Sequence, residues 1–430
     1  VKDLSGTSHG RTRTAVLKVL YLLAVTAAVF VGPAVEVMQS ARWWVVGGLL
    51  ALQAVVLIRC GVERREVLRP LGRLKWLFAV LLICYAFLPG DDERVAADWR
   101  NVLIFGGVLW VNLGGLSLAA LMCLQILTVL LASAAVRLTG PGTDLVVGLR
   151  TLGFPKLFVY PLDLVLAKLG GMRRPGGGSG SGGGRRHASA NPATPRLFAV
   201  LKQLVRGNVG AFTTAIRAAL DDARQQVEED AGEPLDPKFA NDVAVIAGVG
   251  LVMVGFKMLK LLPGVPIASG HKTLLLFPLY ILAARLTHTS WGGTAAGSVM
   301  GVVGFLQGDG RFGILEVLKH LAPGLLIDML MPMVRRLPER AWVYCGVGLL
   351  AGVARLTTEF AVLLLLGTRA EVYLFLGVKM VPTLVAGVLS GFVAVAVLRA
   401  FPADRLPGSP DEKPASPTES VAAGHEKGKE

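Results

Sequence analysis

Long apolar stretches alternate with short charged ones along this chain, and many of them have the length a helix needs to cross a membrane. In the first part they cover about 14–32, 43–60, 74–89 and 102–138. The last is too long for one upright span at a rise of about 1.5 Å per residue, so it predicts a long tilted helix hinged near Gly114 and Gly115. Six cleaner stretches follow later, at about 242–262, 272–287, 292–308, 313–333, 340–366 and 372–399. Between the two sets lies a polar centre, 139–240. There Thr139 to Phe154 mixes Gly and Pro with an amphipathic piece. Residues 155–171 are apolar but carry Pro155, Lys156, Pro161, Asp163 and Lys168, and read as interfacial or re-entrant. Residues 197–230 read as an amphipathic helical stretch interrupted around Gly207 to Gly210. The predicted fold is all-α, a polytopic membrane bundle of about ten transmembrane helices with amphipathic cytoplasmic helices in mid-chain.

Composition supports the membrane class. Of 430 residues, 53% are hydrophobic and 17% charged, with mean hydropathy +0.58; a soluble domain carries about 25% charge. The net charge is +14, but the basic residues gather in the short loops and the polar centre, which is the positive-inside pattern. No basic stripe interleaved with aromatics accompanies them, so nucleic acid is not an expected partner. Arg59, Arg64, Arg65, Arg69, Arg73 and Lys75 put one loop in the cytoplasm. Asp91, Asp92, Glu93 and Asp98 put the next outside. With Arg335, Arg336 and Arg340 cytoplasmic, both ends of the six-span part lie inside. The apolar run behind Arg11 and Arg13 reads as a signal anchor. Cys60, Cys84, Cys123 and Cys345 stand singly, without metal or redox spacing, and read as small core residues. The divisions are a transmembrane domain at 1–174, a Gly/Ser-rich linker at 175–195, cytoplasmic helices at 196–240, a six-span domain at 241–402 and a disordered tail at 403–430.

Six ionisable residues fall inside apolar stretches of the six-span domain: Glu316, Lys319, His320, Arg355, Glu359 and Lys379. Each costs about 2.5–3.5 kcal/mol at a bilayer centre, so such residues usually face a polar pocket. The charge topology puts all six in the outer half of three helices. They can neutralise one another, since Arg355 and Glu359, and Glu316 and His320, are spaced i, i+4. They can also line an outward-facing pocket for a small polar solute. The loop 262–273 faintly resembles a P-loop, but His271 intervenes between Gly270 and Lys272 where Gly-Lys-Ser/Thr is required. A lid carrying His271 and Lys272 over the pocket is the better reading. Glu316 and His320 also have the spacing of two metal ligands, but Lys319 beside them is unfavourable near a dication, so neither metal nor cofactor is expected. No other phosphate loop exists, so any ATP-driven cycle needs a separate ATPase. Ala244 with Gly248, Gly297 with Gly301, and Gly304 with Gly308 are small-residue pairs that permit close helix approach.

Around Ala215-Ile216-Arg217 and Ala223-Arg224, in the amphipathic mid-chain stretch, the organisation resembles an energy-coupling-factor (ECF) type importer. The first half, with several spans, then LTGPGTDLVVGLRTLGFP, then cytoplasmic helices, resembles the transmembrane T component. The second half, with GHKTLLLFPLYILAARL and GFLQGDGRFGILEVLKHLAPGLLIDML, resembles a six-span substrate-binding S component. The family's Ala-Arg-Gly-like motifs dock onto two ABC ATPases; here Arg217 and Arg224 lack the following Gly. The resemblance implies a multi-pass protein of the bacterial inner membrane that is not itself an enzyme. Its second half would capture a vitamin-like solute from outside, and Arg217 and Arg224 would couple it to ATPases in trans. One alternative is an ion-gradient-driven secondary transporter with Glu316, Glu359 and Lys379 as a relay. Another is an intramembrane enzyme, for which the chain has no Glu-Glu pair with partnering histidines, no His-Glu-x-x-His and no Gly-x-Ser-x-Gly.

Overall fold

A computed structural model describes residues 5–30, 42–87, 99–104, 107–140, 142–172, 209–230, 236–258, 271–307, 313–337, 340–365 and 374–401. The Gly/Ser linker, the tail 403–430 and most of the 262–273 segment lie outside the described residues. The first half contains α1 (Ser5–Phe30), α2 (Arg42–Arg59), α3 (Arg64–Phe87), β1 (Trp99–Ile104), β2 (Gly107–Asn112), α4 (Leu113–Leu138), α5 (Thr143–Thr151) and α6 (Lys156–Met172). The second contains α7 (Val209–Asp230), α8 (Pro237–Met258), α9 (His271–Leu286), α10 (Gly292–Leu306), a 3-10 turn (Gly313–Val317), α11 (Leu318–Val334), α12 (Ala341–Leu365) and α13 (Leu374–Arg399).

The described residues are almost wholly helical, and five helices among them are long and apolar enough to cross a membrane. Their apolar windows are Thr12–Val29, Leu113–Leu138, Pro237–Phe256, Ala341–Leu364 and Met380–Arg399. The count of about ten is therefore too high. Apolar stretches alone overstate spans because several end early as helices. At 16 and 15 residues, α9 and α10 reach only about 22–24 Å, short of a hydrocarbon core of about 30 Å. α11 has 17 residues and carries Lys319, His320 and Asp328. The interior of the bundle tolerates these shorter helices. Phe277, Leu279, Tyr280, Ile281, Leu282 and Ala283 of α9 are all fully buried, so protein, not lipid, sets that helix's surroundings.

The stretch 102–138 is not one hinged helix. Its start belongs to an antiparallel hairpin that pairs Trp99 with Asn112 and Ile104 with Gly107. α4 begins only at Leu113. The break has a local cause: the Asn112 side chain accepts a hydrogen bond from Gly115 N at 3.0 Å, capping the new helix. Upstream, the basic run from Arg64 to Lys75 is already helical, forming the first turns of α3. Cys60 is exposed at the end of α2, unlike the core placement expected of it, while Cys345 is buried.

α4 is the axis of the first half and packs against α1, α2 and α3. α5 lies along α1, where Gly148 lets the chain approach Ala15 and Val19 closely. Lys18 and Asp144 close that contact with a 2.8 Å ion pair. In the second half, Gly297 and Gly301 of α10 face α11, and a Cβ at Gly301 would come within 2.9 Å of Val317 Cα. This is the close approach expected of that pair. Gly248 of the Ala244 pair faces Ala219 and Leu220 of α7. The halves meet at several places among the described residues, two of them next to the ends of α10 and α11. α6 packs against α8 and α10, and α4 packs against the 3-10 turn. There Gly313 adopts a left-handed φ of 58°, and a side chain at this position would collide with Ser133.

Candidate functional site

Glycine-mediated packing of α10 on α11 fixes where Val317 and His320 lie. The polar residues just around them turn inward because α11 is buried on that side: Glu316, Lys319 and His320 are all buried. Lys319 Nζ lies 2.6 Å from Glu316 Oε1 and 3.0 Å from Glu359 Oε1. One ammonium thus bridges a carboxylate one turn away and another on α12. Next in sequence, His320 Nδ1 meets the Tyr280 hydroxyl at 2.8 Å, and Tyr280 is fully buried on α9. Arg355, one turn before Glu359, lies close enough to Tyr280 to act on it electrostatically.

These groups form a circuit over α9, the 3-10 turn, α11 and α12. Its contacts are Glu316–Lys319–Glu359 and Tyr280–His320, joined through the chain at Lys319 and His320, with Arg355 one turn from Glu359. Two atoms in it are left over. Arg355 Nη1 and Glu316 Oε2 are buried without a hydrogen-bond partner. A buried, unsatisfied charged atom costs more than a neutral one. Here one such atom is a donor and the other an acceptor, on residues of opposite charge.

Five of the eight residues expected at the pocket, Glu316, Lys319, His320, Arg355 and Glu359, have described side chains and come together here. Lys379 lies in α13, while His271 and Lys272 open α9; the side chains of all three fall outside the described residues. Arg217 and Arg224 lie elsewhere, on α7. Arg217 donates to the Ala400 carbonyl and stands over the Phe401 ring, 5.2 Å from its centroid. Arg224 donates to Asn241 Oδ1. Both arginines therefore bind this chain's own helix ends, at the close of α13 and the start of α8. The opposite face of α7 buries Phe212, Ile216, Leu220, Ala223 and Val227, a helical repeat that packs on α8.

Nine residues beyond Lys319, about 13 Å along α11, lies a second polar layer that the sequence reading missed. Asp328 Oδ1 accepts from Gly293 N at 2.8 Å, and its Oδ2 accepts from Thr294 N and Thr294 Oγ1, each at 2.6 Å. This carboxylate caps the N-terminus of α10 from a neighbouring helix, where the helix dipole favours negative charge. Asp242 does similar work for the turn between α9 and α10. It accepts from His288 N at 2.7 Å, from Thr289 N at 2.9 Å and lies 3.1 Å from His288 Nδ1. Arg335 completes the turn by donating to the carbonyls of Ala284 at 2.7 Å and Thr287 at 2.8 Å. Burial, then the like charge of Arg285, holds Arg335 below its ordinary arginine value, with Asp242 and Asp328 pulling it back. In this layer the buried carboxylates have backbone partners, so it reads as architecture. A signal for it was present: Asp328 interrupts the apolar run Leu325-Leu326-Ile327 as plainly as Lys319 interrupts its own. Tyr280 carried no such signal, because tyrosine is ordinary in an apolar helix.

Comparison with protein-family models, with curated proteins and with solved structures finds no match to this chain.

Proposed function

We propose that this chain is the membrane subunit of an ECF-type importer of the bacterial inner membrane. In this reading the six-helix half captures a small, polar, vitamin-like solute from outside, and ABC ATPases in trans supply the energy through the first half and α7. The observation that carries the reading is the buried circuit around Lys319, with Arg355 Nη1 and Glu316 Oε2 unpartnered. Other buried atoms of the chain also lack partners, Arg285 Nε and Arg335 Nε among them, but here a spare donor and a spare acceptor fall among the same cluster of ionisable residues. α7 supports the coupling part. It is an amphipathic helix fastened by Arg217 and Arg224 to the ends of α13 and α8. A partner pressing on α7 would thereby move two helices of the solute-binding half.

Purification of the full chain from its native membrane is expected to bring down a pair of ABC ATPases. Combined Arg217→Glu and Arg224→Glu substitution is expected to release them. Retained association would remove the two arginines from that role, and the absence of any ATPase would overturn the importer reading. An ion-gradient-driven transporter draws on one of the same observations: Lys319 bridging two carboxylates is a geometry through which a proton can pass. That alternative predicts uptake into liposomes driven by a pH gradient with no ATPase present.

A further inference from the structure

We propose that the solute is a small zwitterion, with its anionic group on Arg355 and its cationic donor on Glu316; this rests on the solute-capture reading above. The inference comes from the charge inventory of the circuit and from which atoms are spare. Its described ionisable groups other than His320 are two acids, Glu316 and Glu359, and two bases, Lys319 and Arg355. Lys319 is already held between both acids. Glu316 Oε1 faces Lys319, so the vacant acceptor is Glu316 Oε2 alone. On the basic side the vacant donor is Arg355 Nη1. A guanidinium nitrogen recognises a carboxylate or similar oxyanion, and a carboxylate oxygen recognises an ammonium or a protonated nitrogen.

Balanced charge among the described groups favours a ligand with no net charge. A simple anion would satisfy Arg355 but add an uncompensated charge beside Glu316 in an apolar bundle, and a simple cation would do the reverse. An uncharged solute would hydrogen-bond to both vacant atoms but bring neither of them a counter-charge. A zwitterion satisfies both and leaves the circuit neutral. Tyr280 and His320, joined at 2.8 Å, add a polar pair beside Lys319.

The test uses the purified full chain in lipid nanodiscs and follows thermal stabilisation and equilibrium binding. The probes are four matched sets: amino carboxylates of graded chain length, their des-amino carboxylates, their decarboxylated amines and their uncharged amides. Stabilisation by amino carboxylates, at affinities about ten- to hundred-fold above the other three sets, is expected. Arg355→Met should shift the preference to amines, and Glu316→Gln should shift it to carboxylates. The double variant, which keeps the charge balanced, guards against loss of folding and should lose the preference altogether. Selection of carboxylates, amines or amides by the unaltered chain would overturn the zwitterion proposal and leave solute capture standing. Failure of every set to stabilise the chain would overturn both.

Discussion

Lys319 and Glu359 are forty residues apart, on α11 and α12, and meet at 3.0 Å inside the bundle. Because Lys319 also holds Glu316, its removal strands two carboxylates, Glu316 buried and Glu359 half-buried. Lys319→Met is expected to cost on the order of 3–5 kcal/mol of stability, as for other broken buried ion pairs. Adding Glu316→Gln and Glu359→Gln should recover most of that loss, since neutral amides need no counter-charge. Thermal unfolding in detergent would separate the two. A triple variant no more stable than Lys319→Met would mean that Lys319 acts through packing.

Packing of α10 on α11 sets the position of the circuit, so a change that touches none of its side chains should disturb it. A Cβ at Gly297 would come within 3.1 Å of the His320 carbonyl carbon, with the carbonyl oxygen closer still. Gly297→Ala should therefore push α11 outward and lower both the melting temperature and ligand affinity. Gly47, on α2, has nothing within 4 Å of its Cβ position. Gly47→Ala should be neutral or stabilise by about 0.5–1 kcal/mol through helix propensity. Equal effects at the two positions would refute the packing explanation.

How far these features could be read from residues alone varied with how local they are. The apolar stretches located α8 to α13 because each is a contiguous run. They misjudged 102–138, where Val102, Leu103 and Ile104 suit a strand as well as a helix and only Asn112 marks the boundary. The cost of burying charge pointed to Glu316, Lys319, His320, Arg355 and Glu359. It could not pair them, because Lys319 reaches Glu359 only through the way α11 lies beside α12. The i, i+4 spacing suggested Glu316 with His320, yet Glu316 faces Lys319 and His320 faces Tyr280. A partner on a third helix has no signature along the chain.

Asp328 offers a contrast to Lys319, since its oxygens are filled by backbone and hydroxyl donors. Asp328→Ala removes three bonds to a carboxylate and uncaps α10. A loss of roughly 2–3 kcal/mol is expected, with Asp328→Asn losing less. On the proposed reading, ligand affinity should change far less than stability, because the circuit around Lys319 lies about two to three turns away along α11. Affinity falling in step with stability would place Asp328 in the binding site and end its assignment as a cap.

If the proposed importer reading holds, Arg217 and Arg224 allow binding and energy coupling to be separated. Both lie on α7, far in sequence from the circuit, and fasten that helix to Ala400, Phe401 and Asn241. Replacing both with Ala breaks the fastening while leaving Phe212, Ile216 and Leu220 to hold α7 on α8. Solute binding to the purified chain should then remain within about two-fold of the unaltered protein, a difference of roughly 0.4 kcal/mol. ATP-driven uptake by the full complex in liposomes should fall by about ten-fold or more, as expected if motion of α7 no longer reaches α13. Loss of binding together with uptake would show that the arginines maintain the fold of the solute-binding half. Unchanged uptake would show that α7 transmits nothing through them.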